Sequence, residues 1–219
     1  MSPDLLRRVL RFLFGVLTRL EVRGLADFPQ LGGCLVAVNH LSALDGPLVY
    51  CLLPRADVSA LVADKHLRNP LYRWVVETVH GIWIDRENPG VESLRQARQF
   101  LKQGGVLGIA PEGTRSRYRT MTLAKMGAAY LADKSEAWIV PTAIYGTEQA
   151  VMTWLCLRRP KIVVHFGKPF RLPPLERKQR DAALLHNTDE MMCRIALLLP
   201  EVYRGAYAAH PRLRQLLGK

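Results

Sequence analysis

The sequence predicts an α/β protein with a single, largely parallel central sheet flanked by helices. Short apolar runs typical of buried strands alternate with stretches of helical periodicity, and such alternation requires crossover connections between parallel strands. The 219 residues, 49% of them hydrophobic, suffice for one sizeable core, and no interdomain linker is evident. We therefore predict an amphipathic helix over residues 1–20 and one domain over residues 21–219.

The individual elements follow from apolar runs, helical periodicity and the positions of Gly and Pro. Strands are expected at 21–24, 34–39, 58–63, 81–86, 106–110, 138–145 and 162–166. Helices are expected at 1–20, 46–53, 70–79, 91–103 and 123–132, and the chain from residue 175 onward is expected to be mostly helical. Pro70 is typical of a helix start, and the pair Gly104 and Gly105 is typical of a helix end.

Composition narrows the classes of partner. The formal net charge of +12 favours an anionic partner, which is nucleic acid, a phospholipid surface or a phosphorylated substrate. Aromatic residues do not interleave with the basic runs as base-stacking platforms would, so we do not expect nucleic acid as a binding partner. Cys34 and Cys51 fall in apolar runs and are predicted to be reduced core residues, which suits a cytosolic environment. The six histidines show no i, i+4 pairing, and we predict no metal and no cofactor.

Residues 1–20 show the pattern of a basic amphipathic helix. At about 100° per residue, four arginines fall within a sector of about 120° and apolar residues occupy the other side. The arginines are Arg7, Arg8, Arg11 and Arg19. The pattern predicts a helix in the interface of an anionic bilayer, holding the protein peripherally at the cytoplasmic face. A helix packed on its own domain is the open alternative, whereas the interrupting arginines disfavour a signal peptide.

His40 and Asp45 are the first candidates for catalysis. His40 follows an apolar strand and is expected at the carboxyl edge of the sheet, where ligand sites of open α/β sheets collect. Imidazole can accept a proton near neutral pH when a second group fixes its tautomer. Asp45 is that group only if the chain turns, because five residues along one helix set two side chains about 140° apart. Ser42 as an N-cap and Pro47 in the first turn predict such a turn, although helix capping would equally explain Asp45.

Basic and glycine-bearing segments follow several strands and are candidates for a phosphate site. They are Lys65, Arg86, Glu112 to Arg117, and Lys125. A guanidinium binds phosphate bidentately, and glycine allows the backbone to approach closely. Gly113, Thr114 and Arg115 together offer a backbone N–H, a hydroxyl and a guanidinium. Surface ion pairs of Arg86 and Arg115 with neighbouring acidic residues are the alternative.

Four short blocks occur together in one order. They are Asn39-His40-x-Ser42-x-x-Asp45, Gly81-Ile82-x-Ile84-Asp85-Arg86, Pro111-Glu112-Gly113-Thr114-Arg115-Ser116 and Val140-Pro141. Over about residues 21–170 the sequence resembles the glycerolipid acyltransferase family, typified by 1-acylglycerol-3-phosphate acyltransferase. One departure is Ala110, where the third block usually carries an aromatic or other bulky apolar residue.

The resemblance implies an enzyme that moves an acyl group from acyl-CoA or acyl carrier protein to the hydroxyl of a lysophospholipid. The default acceptor is 1-acylglycerol 3-phosphate, which gives phosphatidic acid; glycerol 3-phosphate, another lysophospholipid and a lyso-aminolipid remain open. The resemblance implies His40 as general base, Asp45 as its partner and Pro141 near the acyl donor. The residues expected at the acceptor phosphate are Lys65, Arg86, Glu112, Gly113, Thr114 and Arg115.

Two functions of other classes compete with acyl transfer. A non-enzymatic binder of membranes or nucleic acids would bind in a strongly salt-dependent way and consume no thioester. A hydrolase could use the same His-Asp pair, but the sequence contains no Gly-x-Ser-x-Gly nucleophile elbow.

Overall fold

The computed structural model describes residues 1–85, 90–175 and 180–218. Within them, seven strands form one sheet: β1 (Arg19–Arg23), β2 (Cys34–Val38), β3 (Val58–Ala63), β4 (Ile82–Ile84), β5 (Val106–Ile109), β6 (Trp138–Tyr145) and β7 (Lys161–Phe166). The helices in the same ranges are α1 (Pro3–Leu17), α2 (Asp45–Leu52), α3 (Pro70–Thr78), α4 (Val91–Lys102), α5 (Gly127–Ser135), α6 (Ala150–Leu155), α7 (Arg180–Leu198) and α8 (Pro211–Leu216).

The strands lie in the order β1-β7-β6-β2-β5-β3-β4. Every neighbouring pair is parallel except β6 and β7, in which Thr142 lies opposite Phe166. β2 is central, with Val36 opposite Gly108 of β5 and Val140 of β6. The predicted α/β class with a largely parallel sheet is therefore confirmed, and the carboxyl ends of β2, β3, β5 and β6 lie at one edge.

Two hydrophobic clusters cover the two faces of this sheet. Side chains alternate along β2, so Cys34 and Val36 face the cluster containing α1 and α2, while Leu35 and Ala37 face the cluster containing α4, α5 and α7. This two-sided burial explains why β2 is a continuous apolar run. Cys34 and Cys51 are buried free thiols, as predicted.

The predicted cap of α2 is wrong. The helix begins at Asp45, its N-cap is Leu44, and no side chain makes the capping hydrogen bond. The Ser42 hydroxyl instead accepts the Leu44 N–H within the preceding turn, at 3.3 Å. The Asp45 carboxylate holds that turn by accepting backbone N–H groups from it, and the helix starts only afterwards.

Differences also occur where loops compete with helices. The helix expected at 123–132 begins at Gly127, because Lys125 N–H bonds to Pro111 O and Ala124 N–H bonds to the Tyr207 hydroxyl. α6 was not predicted. The mostly helical C-terminal part is confirmed by α7 and α8.

α1 packs on the domain through a face that carries both arginines and apolar side chains. Arg7 donates to Arg55 O at 2.6 Å, and Arg11 donates twice to Cys51 O, at 3.1 and 2.6 Å. Cys51 O lies in the last turn of α2, where the helix dipole favours cations, and Arg55 follows shortly after the helix ends. Phe14 on the same face is buried, so the packed-helix alternative holds for this side. The opposite side is apolar and exposed, with Leu5, Val9, Phe12 and Val16.

None of the helices within the described ranges is long and apolar enough to cross a membrane.

Candidate active site

His40 and Asp45 meet at the carboxyl end of β2. The chain turns after β2, so that His40 lies in the turn and Asp45 is the first residue of α2. The distance between His40 Nδ1 and Asp45 Oδ2 is 2.9 Å. The Asp45 side chain is only 1% exposed and the His40 side chain 17% exposed, so the imidazole reaches the surface of a site whose carboxylate is buried.

Four hydrogen-bond donors surround the Asp45 carboxylate. Besides His40, the N–H groups of Leu41 and Ser42 donate to Oδ2, both at 2.7 Å. The Thr147 hydroxyl donates to Oδ1 at 2.6 Å. The side-chain bonds therefore go to the turn and to the segment after β6, rather than to amides of α2 as the capping alternative would require. A buried carboxylate with four donors is held in one orientation.

This arrangement determines which nitrogen of His40 is available for chemistry. An ionised carboxylate can only accept hydrogen bonds, so the proton of a neutral imidazole is on Nδ1 and Nε2 can accept one. The backbone of His40 is held as well, since its N–H donates to Glu112 Oε1 at 3.0 Å and its carbonyl accepts from Ser116 N–H at 2.9 Å. His40 is thus positioned through both its backbone and its side chain.

Glu112 joins the His40 turn to the loop that follows β5. Its Oε1 accepts from His40, and its Oε2 accepts from the N–H and the hydroxyl of Thr122, at 2.8 and 2.7 Å. Burial raises the pKa of the Glu112 carboxyl above its usual range, and the hydrogen bonds from Thr122 and His40 partly offset this effect. Both carboxylate oxygens of Glu112 already accept hydrogen bonds from other residues, and a carboxylate repels phosphate. The geometry therefore supports a role for Glu112 in positioning His40, instead of the expected contact with phosphate.

Gly113 serves the turn after β5. Its φ of 70° is in the left-handed region, and a Cβ there would lie 3.3 Å from Lys125 Cδ. Its N–H donates to Ala110 O at 3.0 Å, so the backbone amide that we expected to donate to a phosphate already has a hydrogen-bond partner. Thr114 and Arg115 follow on the exposed side of the loop.

The remaining predicted residues differ in their relation to this site. Arg115 lines the same cavity as His40. Lys65 is exposed in a short 3-10 turn after β3. Pro141 is buried in β6 opposite Ala37. Neither Lys65 nor Pro141 is among the described residues that line the cavity. Arg86 lies outside the described residues. The roles of these residues and of the other predicted site residues stay predictions.

A cavity of about 180 Å³ extends from His40 and Arg115 into the apolar interior. Its walls come from β3, β5 and the first three helices, with few polar side chains. They include Leu10, Val49, Tyr50, Val58, Ala60, Val75, Val76, Val79, Gly108 and Ala110. Ala110 is the position in the third block where the family usually has a bulky apolar residue. The small alanine therefore leaves room in the cavity that a bulky side chain would fill.

Sequence reasoning missed three polar residues that support the site. The Asn39 amide donates to Ile144 O at 2.9 Å and accepts from Ile144 N–H at 2.8 Å, so it ties the end of β2 to β6. Its place in the first block was the available signal. Thr122 and Thr147 carried no signal, since Thr147 reaches Asp45 from 102 residues away.

The C-terminal segment supports the loop that follows β5. Met121 N–H donates to Tyr203 O at 2.9 Å, and Ala206 N–H donates to Met121 O at 3.0 Å. The Tyr207 hydroxyl accepts from Ala124 N–H at 3.2 Å. The chain after α7 therefore holds the loop between β5 and α5, which also carries Glu112 and Arg115.

Known proteins share both the sequence pattern and the fold. The chain is 24% identical to 1-acyl-sn-glycerol-3-phosphate acyltransferase of Bacillus subtilis, over 75% of this chain and 82% of that protein. It is 31% identical to the protein of the same name from Cocos nucifera, over 64% of this chain and 47% of that protein. The chain spans about half the length or less of several curated relatives it matches.

A solved structure and a family model agree with these relatives. The crystal structure of the 1-acyl-sn-glycerophosphate (LPA) acyltransferase PlsC from Thermotoga maritima superposes with a TM-score of 0.64, covering 84% of this chain and 75% of that one. At 20% identity this likeness shows the fold alone. The family model described as Acyltransferase matches residues 19–145, more than half of the chain, including His40, Asp45 and the third block. The chain therefore belongs to the Acyltransferase family.

Proposed function

We propose that the protein transfers an acyl group from a thioester, acyl-CoA or acyl carrier protein, to the free hydroxyl of a lysophospholipid. The default acceptor is 1-acylglycerol 3-phosphate, and the product is phosphatidic acid. The observation that carries this proposal is the His40–Asp45 pair, which opens on an apolar cavity that Arg115 also lines. A proton acceptor, a cation and apolar walls are what a lipid with a hydroxyl and a phosphate requires.

The proposed reaction needs no protein nucleophile. The acceptor hydroxyl oxygen attacks the thioester carbonyl carbon while His40 Nε2 takes its proton. Asp45 stabilises the resulting imidazolium through Nδ1–H. When the tetrahedral intermediate collapses, the C–S bond breaks and the imidazolium returns the proton to the leaving thiolate. The products are an ester, a free thiol and neutral His40.

Arg115 and Thr114 are proposed to bind the acceptor phosphate, with Lys65 and Arg86 as further candidates. A guanidinium matches two phosphate oxygens at once, and Arg115 shares the cavity with His40. Anchoring the phosphate would hold the glycerol hydroxyl near His40 Nε2. Positioning of this kind can lower a barrier by several kcal/mol.

The apolar cavity is proposed to take an acyl chain. Each methylene group moved from water into such walls gains about 0.8 kcal/mol. The exposed apolar side of α1 supports the further proposal that the enzyme works as a peripheral protein on an anionic membrane, at the cytoplasmic face, where its lipid acceptor resides.

An acceptor panel tests this function. The purified full chain is incubated with a long-chain acyl-CoA or acyl carrier protein and each candidate acceptor, and the acylated lipid is measured by mass spectrometry. We expect 1-acylglycerol 3-phosphate to give the highest kcat/KM and His40→Ala, folded by circular dichroism, to give no product. Near-normal turnover by His40→Ala would contradict the mechanism, and binding to vesicles or nucleic acid without any thioester consumption would favour the non-enzymatic alternative.

Arg115→Ala separates phosphate binding from catalysis. Loss of a hydrogen-bonded charge contact of about 1.5–3 kcal/mol predicts a roughly 10- to 160-fold lower kcat/KM for the phosphate-bearing acceptor. The KM for acyl-CoA should change little. Arg117→Ala, two residues along the same exposed loop, is the matched control. Equal effects of the two substitutions would remove Arg115 from the phosphate site.

A further inference from the structure

The segment formed by α6 and the turn after it, residues 150–159, exposes several large apolar side chains. Leu155 is 73% exposed and Leu157 98% exposed, and Val151 and Met152 are exposed as well. Neighbouring exposed apolar residues of this size mark an interaction surface more often than chance. The proposed reaction uses none of them, so the segment needs an explanation of its own.

This segment is attached to the end of α1. Trp154 Nε1 donates to Leu17 O at 2.8 Å, and the Arg159 guanidinium donates to Gly15 O at 2.7 Å and to Thr18 O. These bonds satisfy carbonyl groups that the last turn of a helix leaves unpaired. The segment and the exposed apolar side of α1 therefore belong to one unit, which we call the α1–α6 surface; its large apolar residues include Phe12, Val16, Met152, Leu155 and Leu157.

The charge around this surface indicates the kind of partner. Residues 150–161 contain Arg158, Arg159 and Lys161 and no acidic residue, and Arg8 of α1 and Arg19, the first residue of β1, are exposed. Two copies of a chain with a net charge of +12 would bring like charges together, which disfavours self-association through this face. An apolar centre with cationic neighbours instead complements acyl chains beneath anionic headgroups.

Leu157 itself is unusual for the end of a helix. Its φ of 55° is left-handed, a conformation that glycine adopts freely and leucine does not. The Leu157 N–H still donates to Trp154 O at 2.8 Å, and Arg158 N–H donates to Thr153 O at 3.0 Å, so the backbone turn is well formed. Because the side chain packs on almost nothing, folding does not require a leucine here.

We propose that the α1–α6 surface docks on an anionic phospholipid bilayer, with residues 150–159 as a second inserted element beside α1. Two separated contacts fix the tilt of a protein on a membrane, which a single surface helix does not. Leu10 of α1 lines the cavity, so this docking would hold the cavity next to the bilayer. The inference extends the proposed function, whose acceptor is a membrane lipid.

The native cysteines allow a direct test. Cys156 is exposed, whereas Cys34, Cys51 and Cys193 are buried, so an environment-sensitive fluorophore can be placed selectively on Cys156 of the full chain. The labelled protein is mixed with vesicles of equal parts phosphatidylcholine and phosphatidylglycerol. We expect a blue-shifted emission and quenching by doxyl-labelled lipid. Unchanged emission on vesicles to which the protein is bound would overturn the inference.

Leu157→Gly tests the same contact without endangering the fold. Glycine suits the left-handed backbone, so we expect an unchanged or higher melting temperature together with about fivefold to twentyfold weaker vesicle flotation. Leu31→Gly, which removes an 85% exposed leucine far from α6 in sequence, is the matched control and should leave flotation unchanged. Equal flotation of Leu157→Gly and the unsubstituted protein would overturn the inference.

Two further results keep this inference separate from the proposed function. Acyl transfer to a water-soluble, short-chain acceptor is measured on the same samples without vesicles. If transfer is absent while the Cys156 fluorophore enters the bilayer, the docking surface stands and the proposed function fails. A blue shift without vesicles that grows with protein concentration would assign the surface to a second copy and overturn the inference.

Discussion

Thr147→Val tests whether the orientation of the Asp45 carboxylate matters for catalysis. The Thr147 hydroxyl donates to Asp45 Oδ1 at 2.6 Å, and both residues are buried. Valine keeps the shape of threonine but removes the donor. A hydrogen bond to a charged group contributes about 1.5–3 kcal/mol to stability. Because three donors remain on Oδ2, we expect the free energy of unfolding to fall by about 2 kcal/mol, toward the lower part of that range.

The same substitution should lower turnover more than substrate binding. A carboxylate that can rotate no longer holds His40 Nδ1–H in one direction, so we expect kcat to fall about tenfold, equivalent to roughly 1.4 kcal/mol, with little change in KM. Denaturant unfolding and steady-state kinetics with 1-acylglycerol 3-phosphate give the two quantities. Thr147→Ser is the control, because it keeps the hydroxyl and loses only one methyl group, about 0.8 kcal/mol of burial.

Two outcomes would refute this reasoning. If Thr147→Val is less stable but turns over as fast as the unsubstituted enzyme, Thr147 contributes to the fold and has no part in orienting the base. If Thr147→Ser loses kcat as severely as Thr147→Val, the hydroxyl is not the group that matters.

Three further predictions concern the loop after β5, the cavity and acid stability. Glu112→Gln places an NH2 group against N–H donors, so we expect the free energy of unfolding to fall by about 2 kcal/mol and kcat to fall as well. A selective rise in the KM for the acceptor would instead support a contact between Glu112 and the phosphate. Ala110→Leu should lower kcat/KM about tenfold for long-chain acyl donors and little for short ones, because the larger side chain fills the cavity. A series of acyl-CoA lengths measures this, and equal losses at every length would show that the acyl chain binds elsewhere. Burial lowers the pKa of His165 below 6.5, so its contribution to stability is lost as pH falls below that value. His165→Gln should therefore flatten the loss of unfolding free energy on acidification, and an unchanged pH profile would contradict this cause.

The elements that could be predicted are those whose pattern is local. β2 is a continuous apolar run because both faces of a central parallel strand are buried. α3 begins where Asn69 accepts the N–H groups of Leu71 and Tyr72 and Pro70 follows it, a combination that is visible in the sequence.

The late start of α5 is an error of a different kind, because a distant part of the chain competes for local backbone groups. The helix expected from residue 123 starts later because Tyr207 and Pro111 bind the amides of Ala124 and Lys125. A propensity argument weighs only neighbours in sequence and cannot include such bonds.

By itself, the sequence determined the fold class, the family resemblance and the choice of His40 and Asp45 as candidate catalytic residues, because each rests on residue type and order. Only the tertiary structure decided what those residues contact. It assigned Glu112 to the support of His40, brought Thr147 to Asp45, and turned Arg7 and Arg11 toward α2 while leaving apolar side chains of α1 outside. The physical reason is that hydrogen-bond partners are chosen by distance in space, and the sheet brings together segments that lie far apart along the chain.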